Sequence, residues 1–311
     1  MPTPDLKTQL AYCKGEMLNA FNEASKLSPF RGLVAEKRDP AGIVKFALSF
    51  IGPAFRVFTG EAQPVGLDAA NFTVETVKYK NPVSISKSQL DRAKGIMGDE
   101  LIMRPIRKMG GDALYARDAK MAALLEANGN DGLGSAFFAT AATLRNSNGV
   151  TLTNTVSGTG NGESATRTDF YSGIAAFNAM KNVAGRRVHG DSFQATKPII
   201  LYPAALQSVM ESVFMAQTLS LGGANTTYNR AELRMVGDLT DTTDWFIVNA
   251  RPTYMPFMFV DEAEPDFKTN LQNGDSADAA LMLRDEVIFN SDYSFECAFG
   301  SRLEIVRVVN S

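Results

Sequence analysis

The sequence predicts an α+β fold, on three observations. A helical pattern runs unbroken from about Asp99 to Asn128. Stretches that alternate apolar and polar residues between turn formers stand on both sides of it, from Ala54 to Tyr79 and from Tyr293 to Val309. Between residues 143 and 168 the chain becomes rich in Gly, Asn, Ser and Thr, and the pattern changes beyond that point, which marks a surface loop or a domain junction. A length of 311 residues agrees with about two domains.

The first element is a helix. Thr3 can cap it, Pro4 suits its first position and Asp5 favours its N-terminal dipole. Leu6, Leu10, Cys13, Met17, Phe21 and Ala24 recur at helical spacing and give one apolar stripe on a polar helix. Such a stripe needs a partner surface, either its own domain or a neighbouring subunit. Residues 28–53 are mixed and rich in turn formers, including Pro29, Gly32, Pro40 and Gly42. Ala54 to Thr59 then alternates as a strand, Gly60 to Gly66 reads as a turn, and Phe72 to Tyr79 reads as a second strand. The polar sequence between them cannot make a core, so the hairpin reads as a projecting arm.

Ser86 and Gln89 fit a capping box for a short helix ending at Gly95. In the long helix, Ile102, Ile106, Met109, Ala113 and Ala116 form a stripe that Leu114, Met121 and Leu125 extend. Its thirty or so residues give roughly 45 Å, and Gly110–Gly111 mark a point where a bend is expected. Past the junction, Thr168 is the expected cap of a helix with Phe170, Ile174 and Phe177 on one face. Thr196 to Tyr202 reads as a buried strand, Pro203 opens another helix, and short strands follow around Arg234, Phe246 and Phe257. At the end, Tyr293, Phe295, Cys297 and Phe299 share one face of a strand. Gly300–Ser301 reads as a two-residue turn, with Leu303 to Val309 returning as a hairpin.

Composition narrows the function. Apolar residues make up 45% and charged residues 21%, ordinary globular proportions. Net charge is −3 and the pI is about 5.4, so the chain lacks the basic balance of a protein that grips nucleic acid, and any DNA contact is expected to be weak and non-specific. Cys13 and Cys297 lie far apart among apolar neighbours and read as buried free thiols. The N-terminus lacks the layout of a signal peptide, and the apolar stretches are too short and interrupted to span a bilayer, so a cytosolic origin and no membrane partner are expected.

A search for chemistry returns little. His189, the one histidine, sits in GRRVHGD and reads as a surface residue, with no nucleophile signature to serve. One histidine and two distant cysteines make no zinc set. SGTGNGES lacks the Gly-Lys-Ser/Thr ending of a phosphate loop and reads as a flexible loop. The acids of VDEAEPDF (Asp261, Glu262, Glu264 and Asp266) lack the spacing and glycine of an EF-hand. Arg186–Arg187, and Arg104, Arg107 and Lys108 on the long helix, read as solvated or inter-subunit charges. No catalytic, cofactor or metal residue is assigned, and the chain is not expected to be an enzyme.

The order of these features resembles the Hong Kong 97-like fold of tailed-phage capsids, and more narrowly the Mu-like major head subunit family. The motifs that carry this are FRVFTGEAQPVGLDAANFTVETVKYKNPVSISKSQL from Phe55 to Leu90, MGGDALYARDAKMAALLEANGNDGLGSAFF from Met109 to Phe138, and RDEVIFNSDYSFECAFGSRLEIVRV from Arg284 to Val308. Where relatives often place a histidine after the paired aromatics, this chain has Ala139–Thr140–Ala141, and Leu303 stands where an aromatic is common.

The resemblance implies an N-terminal arm over residues 1–53 and an extended E-loop hairpin over 54–80. It implies a P-domain with a long spine helix over 81–165, an A-domain over most of 166–283, and a return to the P-domain over 284–311. It implies a major capsid protein that forms pentamers and hexamers of an icosahedral virion shell around double-stranded DNA. The partners it implies are a portal protein, a separate scaffolding protein and, optionally, a decoration protein. An encapsulin-like nanocompartment shell and a gene-transfer-agent or prophage head are the alternatives. The candidate inter-subunit contacts are Leu10, Met17 and Phe21 on the first helix, Arg56, Phe58, Glu61 and Gln63 on the hairpin, and Arg104, Arg107 and Lys108 on the spine helix. Some relatives cross-link a hairpin lysine to a neighbour's asparagine; here no lysine lies between Arg56 and Val77, so a non-covalent shell is expected.

Overall fold

A computed structural model describes residues 6–49, 69–86, 88, 96–131, 134–143, 151–181, 187–189, 196–220, 222–252, 254–269 and 286–310. In it two five-stranded sheets share a core. The first has the order β1 (Val34–Arg38), β11 (Phe257–Asp261), β13 (Glu286–Phe299), β12 (Asp266–Thr269), with β4 (Val77–Ser86) on the other edge of β13. The second runs β7 (Thr155–Ser157), β14 (Ile305–Val309), β10 (Trp245–Val248), β8 (Ile199–Tyr202), β9 (Glu232–Met235). Two short ribbons complete the strands: β2 (Ile43–Ser49) with β3 (Ala69–Glu75), and β5 (Ala142–Thr143) with β6 (Thr151–Leu152).

Burial follows the sequence pattern. β13 alternates buried and half-buried side chains along most of its length, as a strand covered on one face does. β8 (IILY) and β10 (WFIV) are buried at every position, because both faces of the second sheet are covered. One face, through Leu201, Phe246, Val248 and Ile305, joins the first sheet's core of Phe257, Phe259, Phe295 and Phe299. The other, through Ile200, Trp245, Ile247 and Val306, lies under the helices α3 (Glu163–Ala179) and α4 (Gln207–Phe214). Gly173 lets α3 sit close, since a Cβ there would strike Ile247 Cδ1.

The long helix is α2 (Ile96–Ala127), 32 residues with Pro105 inside it. It packs on the first sheet through Met121, Ala122 and Leu125. Asn128 ends it in the left-handed region (φ 44). The Asn128 side chain then accepts from Phe138 N–H at 2.7 Å and donates to Phe138 O at 3.0 Å, taking the place of a partner strand. Phe137, held this way, stacks on Phe299 with centroids 3.9 Å apart.

Gly110 lies within this continuous helix. It is a contact point: a Cβ there would collide with Met17 O of α1 (Leu6–Ser25), whereas Gly111 has nothing within 4 Å. Gly110→Ala is therefore expected to lower stability by about 1–3 kcal/mol through overpacking. Gly111→Ala should raise it by up to about 1 kcal/mol through helix propensity. Thermal melts of the two single variants check the opposite signs.

Three readings from the sequence are corrected here. The last two strands do not form a hairpin. β13 pairs with β4, β11 and β12, while β14 pairs with β10 and β7 in the other sheet, so residues 300–304 are a crossing between sheets. α3 begins at Glu163 rather than after Thr168, whose hydroxyl instead donates to Ser164 O from inside the helix. The first strand of the arm begins at Ile43, ahead of the expected Ala54, and pairs with β3 from Ile43↔Glu75 to Ser49↔Ala69. The expected strand at Ala54–Thr59 and the capping box at Ser86 and Gln89 lie outside the described residues, save Ser86 and Ser88.

Candidate assembly surfaces

The stripe on α1 faces its own chain. Cys13 and Met17 are buried with Ile106 and Met109 of α2 and with Phe267, Val287 and Phe289 of the first sheet. Phe21 is half-buried, edge-on to Tyr293 at 5.8 Å. Met17 and Phe21 thus pack within the chain rather than presenting a surface to a neighbour; the close approach at Gly110 makes this possible. The side chain of Leu10 lies outside the described residues. On the outer side of α2, Arg107 pairs with Glu16 of α1 at 2.7 Å and Lys108 with Asp112 at 2.7 Å, while Arg104 is exposed. Arg107 and Lys108 keep these pairs at the surface, and all three cations are exposed.

The base of the arm hairpin is clamped to the first sheet. Val44 and Val74 are buried against Val260, and Phe46 stacks on Phe72 at 5.4 Å. Gly42 (φ +68) turns the chain into β2, where any side chain would meet Thr76 Oγ1 at 2.6 Å and Glu262 Oε1 at 2.8 Å. Thr76 itself donates to Glu262 Oε1 at 2.6 Å. Beyond this base, Arg56, Phe58, Glu61 and Gln63 lie outside the described residues.

The other residues singled out by the sequence take structural roles. His189 is buried, not at the surface: its Nε2 lies 2.6 Å from Leu303 O and its ring is edge-on to Phe177. The glycine run is held by its own chain. Thr159 N–H and Oγ1–H donate to Asp169, and Gly160 N–H donates to Asn310 Oδ1 at 3.1 Å, so these donors are turned toward internal acceptors rather than a phosphate. The acids of VDEAEPDF go to separate partners: Asp261 and Glu264 to Arg38, Glu262 to Thr76, and Asp266 to Lys14. Both cysteines are buried and free, and burial pushes the Cys297 thiol up to about 12, which keeps it unreactive.

Asp118 is one buried charged group that the sequence did not flag. It lies in the buried side of α2, accepting from Ser28 Oγ at 2.9 Å. Burial pushes its carboxyl up to about 6; Asp238 adds to this, while Ser28 and Arg117 oppose it. The folded acid therefore holds its proton more tightly than an unfolded one near 3.9. Its penalty is fully present above about pH 6 and is relieved as pH falls toward 4. Asp118→Asn should then gain up to about 3 kcal/mol at pH 8 and lose that advantage by pH 4. Urea melts at both pH values check this, and equal gains at the two would rule out a buried carboxylate.

With this geometry in hand, the fold can be compared with known structures. No protein-family model and no curated protein sequence matches the chain. Solved structures do. A virus-like particle from Pyrococcus furiosus matches with a TM-score of 0.55 and 9% identity, over 97% of this chain and 99% of that one. The capsid of the cyanophage P-SCSP1u matches at 0.57 and 8% identity, over 91% and 88%. The capsid of bacteriophage JBD30 matches at 0.52 and 9% identity over 91% of this chain, which spans 65% of the length of that one. The chain has the Hong Kong 97-like capsid fold.

On this capsid fold, several large apolar side chains stand exposed. Leu27, Tyr115 and Met235 rim a cleft of about 280 Å³ where the end of α1, the middle of α2 and the end of β9 meet. Tyr115 OH donates to Asp238 at 2.8 Å across its mouth. No described helix is long and apolar enough to cross a membrane.

Proposed function

We propose that the chain is the major capsid protein of a tailed bacteriophage, a structural shell subunit and not an enzyme. The carrying observation is the match of more than nine tenths of the chain to three particle-forming proteins. On this reading copies of the chain associate as pentamers and hexamers and close an icosahedral shell, the outer body of the virion, around double-stranded DNA held without sequence specificity. A portal protein, a separate scaffolding protein and an optional decoration protein complete the partners, and assembly takes place in the host bacterial cytoplasm. The N-arm, E-loop, P-domain and A-domain divisions are carried over to it with two changes: the hairpin begins with β2 at Ile43, and β14 belongs to the second sheet. The hairpin residues Arg56, Phe58, Glu61 and Gln63, with Arg104, Arg107 and Lys108 on α2, are the candidates for contact between copies.

The experiment is assembly itself. Sedimentation and negative-stain images of the purified protein should give closed shells or capsomers. A species near the mass of one chain, under conditions that support phage assembly, would overturn the reading. The near end-to-end match with the Pyrococcus furiosus particle favours a second reading, a nanocompartment shell. Particles filled with protein and free of DNA would select it.

The shell should also be non-covalent. The first lysine after the arm, Lys78, is in β4 and pairs with Asp292 at 3.2 Å. Particles boiled in detergent should release single chains on a gel, and a ladder of multimers would refute this.

A further inference from the structure

Among the described residues the chain passes between the two sheets three times. Residues 128–154 lead from α2 to β7, 249–256 from β10 to β11, and 300–304 from β13 to β14. The crossings lie side by side and are laced together. Gly300 N–H donates to Pro256 O at 2.7 Å, and Ser301 N–H to Met255 O at 3.0 Å. Asn249 binds Glu304 twice, by its own N–H to the main-chain oxygen at 3.0 Å and by Nδ2 to the carboxylate at 2.7 Å. Arg302 ties the third crossing to the first: its guanidinium donates to Asp131 and, at 3.3 Å, to Ser135 Oγ.

Arg302 and Asp131 are each only 2% exposed. Taking both charges out of water offsets much of their attraction, so an apolar pair would stabilise the fold at least as well. Arg302 Nε is also buried with no acceptor among the described residues, a further cost. Apolar packing, however, is less directional than a hydrogen-bonded ion pair. The ion pair is directional: a tilt would pull the planar guanidinium away from the Asp131 carboxylate and Ser135 Oγ. Other ties are nearer the surface: Arg234 of β9 donates to Pro29 O at 3.0 Å ahead of β1, and Glu126 of α2 meets Thr240 Oγ1 at 2.8 Å and Asp241 N–H at 2.9 Å beside an exposed threonine.

We infer that the Arg302–Asp131 pair is a positioning element that fixes the angle between the two sheets. In a shell this angle is repeated in every copy, so the pair sets curvature and the uniformity of particle size. The curvature half rests on the shell reading above; the angle half does not.

The test is the double variant Asp131→Leu with Arg302→Met, which exchanges the pair for apolar side chains. Spin labels at Lys80→Cys on β4 and Ser208→Cys on α4, both exposed sites, report the distance between the sheets; the two native cysteines are buried. The unaltered pair should give one narrow distance distribution, and the double variant one roughly twofold broader. Val213→Ala, which opens a cavity in the second core away from the crossings, should stay narrow. Arg302→Lys, which keeps the charge but not the planar fork, should give an intermediate width and serves if the double variant does not fold. Equal widths with and without the pair, or equal broadening in the Val213→Ala control, overturn the positioning role.

Electron micrographs of the same proteins without labels read the second half. Uniform diameters are expected from the native chain and the control, and a spread of diameters from the double variant. A broadened angle with uniform particles overturns the curvature claim. If the native chain builds no particles, the shell reading and the curvature claim fall together, while the label distances still decide the angle.

Discussion

Replacing residues 56–65 with a Gly–Ser linker is expected to leave a soluble, folded chain and to abolish closed particles. The base of the hairpin holds without its tip. β2 and β3 pair over their full lengths, Phe46 stacks on Phe72, and Val44 and Val74 are buried on Val260. The replaced segment has few large apolar side chains, so its loss should cost the isolated fold under about 1 kcal/mol. On the proposed shell reading the same segment would lie on the adjacent copy, where obligate interfaces bury roughly 2,000 Å² or more. Closed symmetry repeats the lost contact in every subunit. Circular dichroism melts near the native midpoint, together with empty fields in electron micrographs, are the expected pair of results. Regular shells from the variant would show that the hairpin does not bridge copies.

Arg302→Met alone is expected to lower stability by about 3–5 kcal/mol. The size of the effect comes from the carboxylate left behind: the Asp131 side chain is 2% exposed and loses its cation. Adding Asp131→Leu to the same chain should recover most of the loss, because it removes the stranded charge along with its partner. Denaturant melts of the native chain, both singles and the double give a coupling energy directly. A single-variant loss below about 1 kcal/mol would mean that the pair behaves as a surface ion pair does.

Local pattern carried much of the fold. The long helix was expected at Asp99–Asn128 and is found at Ile96–Ala127, because its stripe is long and periodic. Strands β8, β10 and β11 were legible as apolar runs bounded by turn formers. The misreadings share one cause, a partner distant in sequence. An alternating strand, Gly–Ser and a second strand read as a hairpin, yet β13 prefers β4 and β11, and β14 prefers β10 and β7. The stripe at Cys13, Met17 and Phe21 told that a face is buried but not against what, and the answer lay with α2 and the first sheet. His189 looked solvated among glycine and arginine, and Leu303 from the last crossing buries it. Turn formers on both sides of IVKFALS hid β2, whose alternation is as regular as that of β3. Of the candidate contacts, the hairpin residues were chosen because their segment cannot form a core, a reason that the clamped base leaves intact.

The pairing of β1 with β11 joins Val34 to Phe257. During synthesis at about 5–20 residues per second, those partners emerge on the order of tens of seconds apart. Until then β1 has no sheet to enter. The apolar stripe of α1 likewise lacks Phe267, Val287 and Phe289, although α2 reaches it sooner. The nascent chain therefore carries its first helix and first strand only partly satisfied during synthesis, a state open to chaperones and to aggregation. The hairpin base likewise cannot seat on Val260 before that residue is made, so on the shell reading nascent chains would lack a finished arm with which to capture each other.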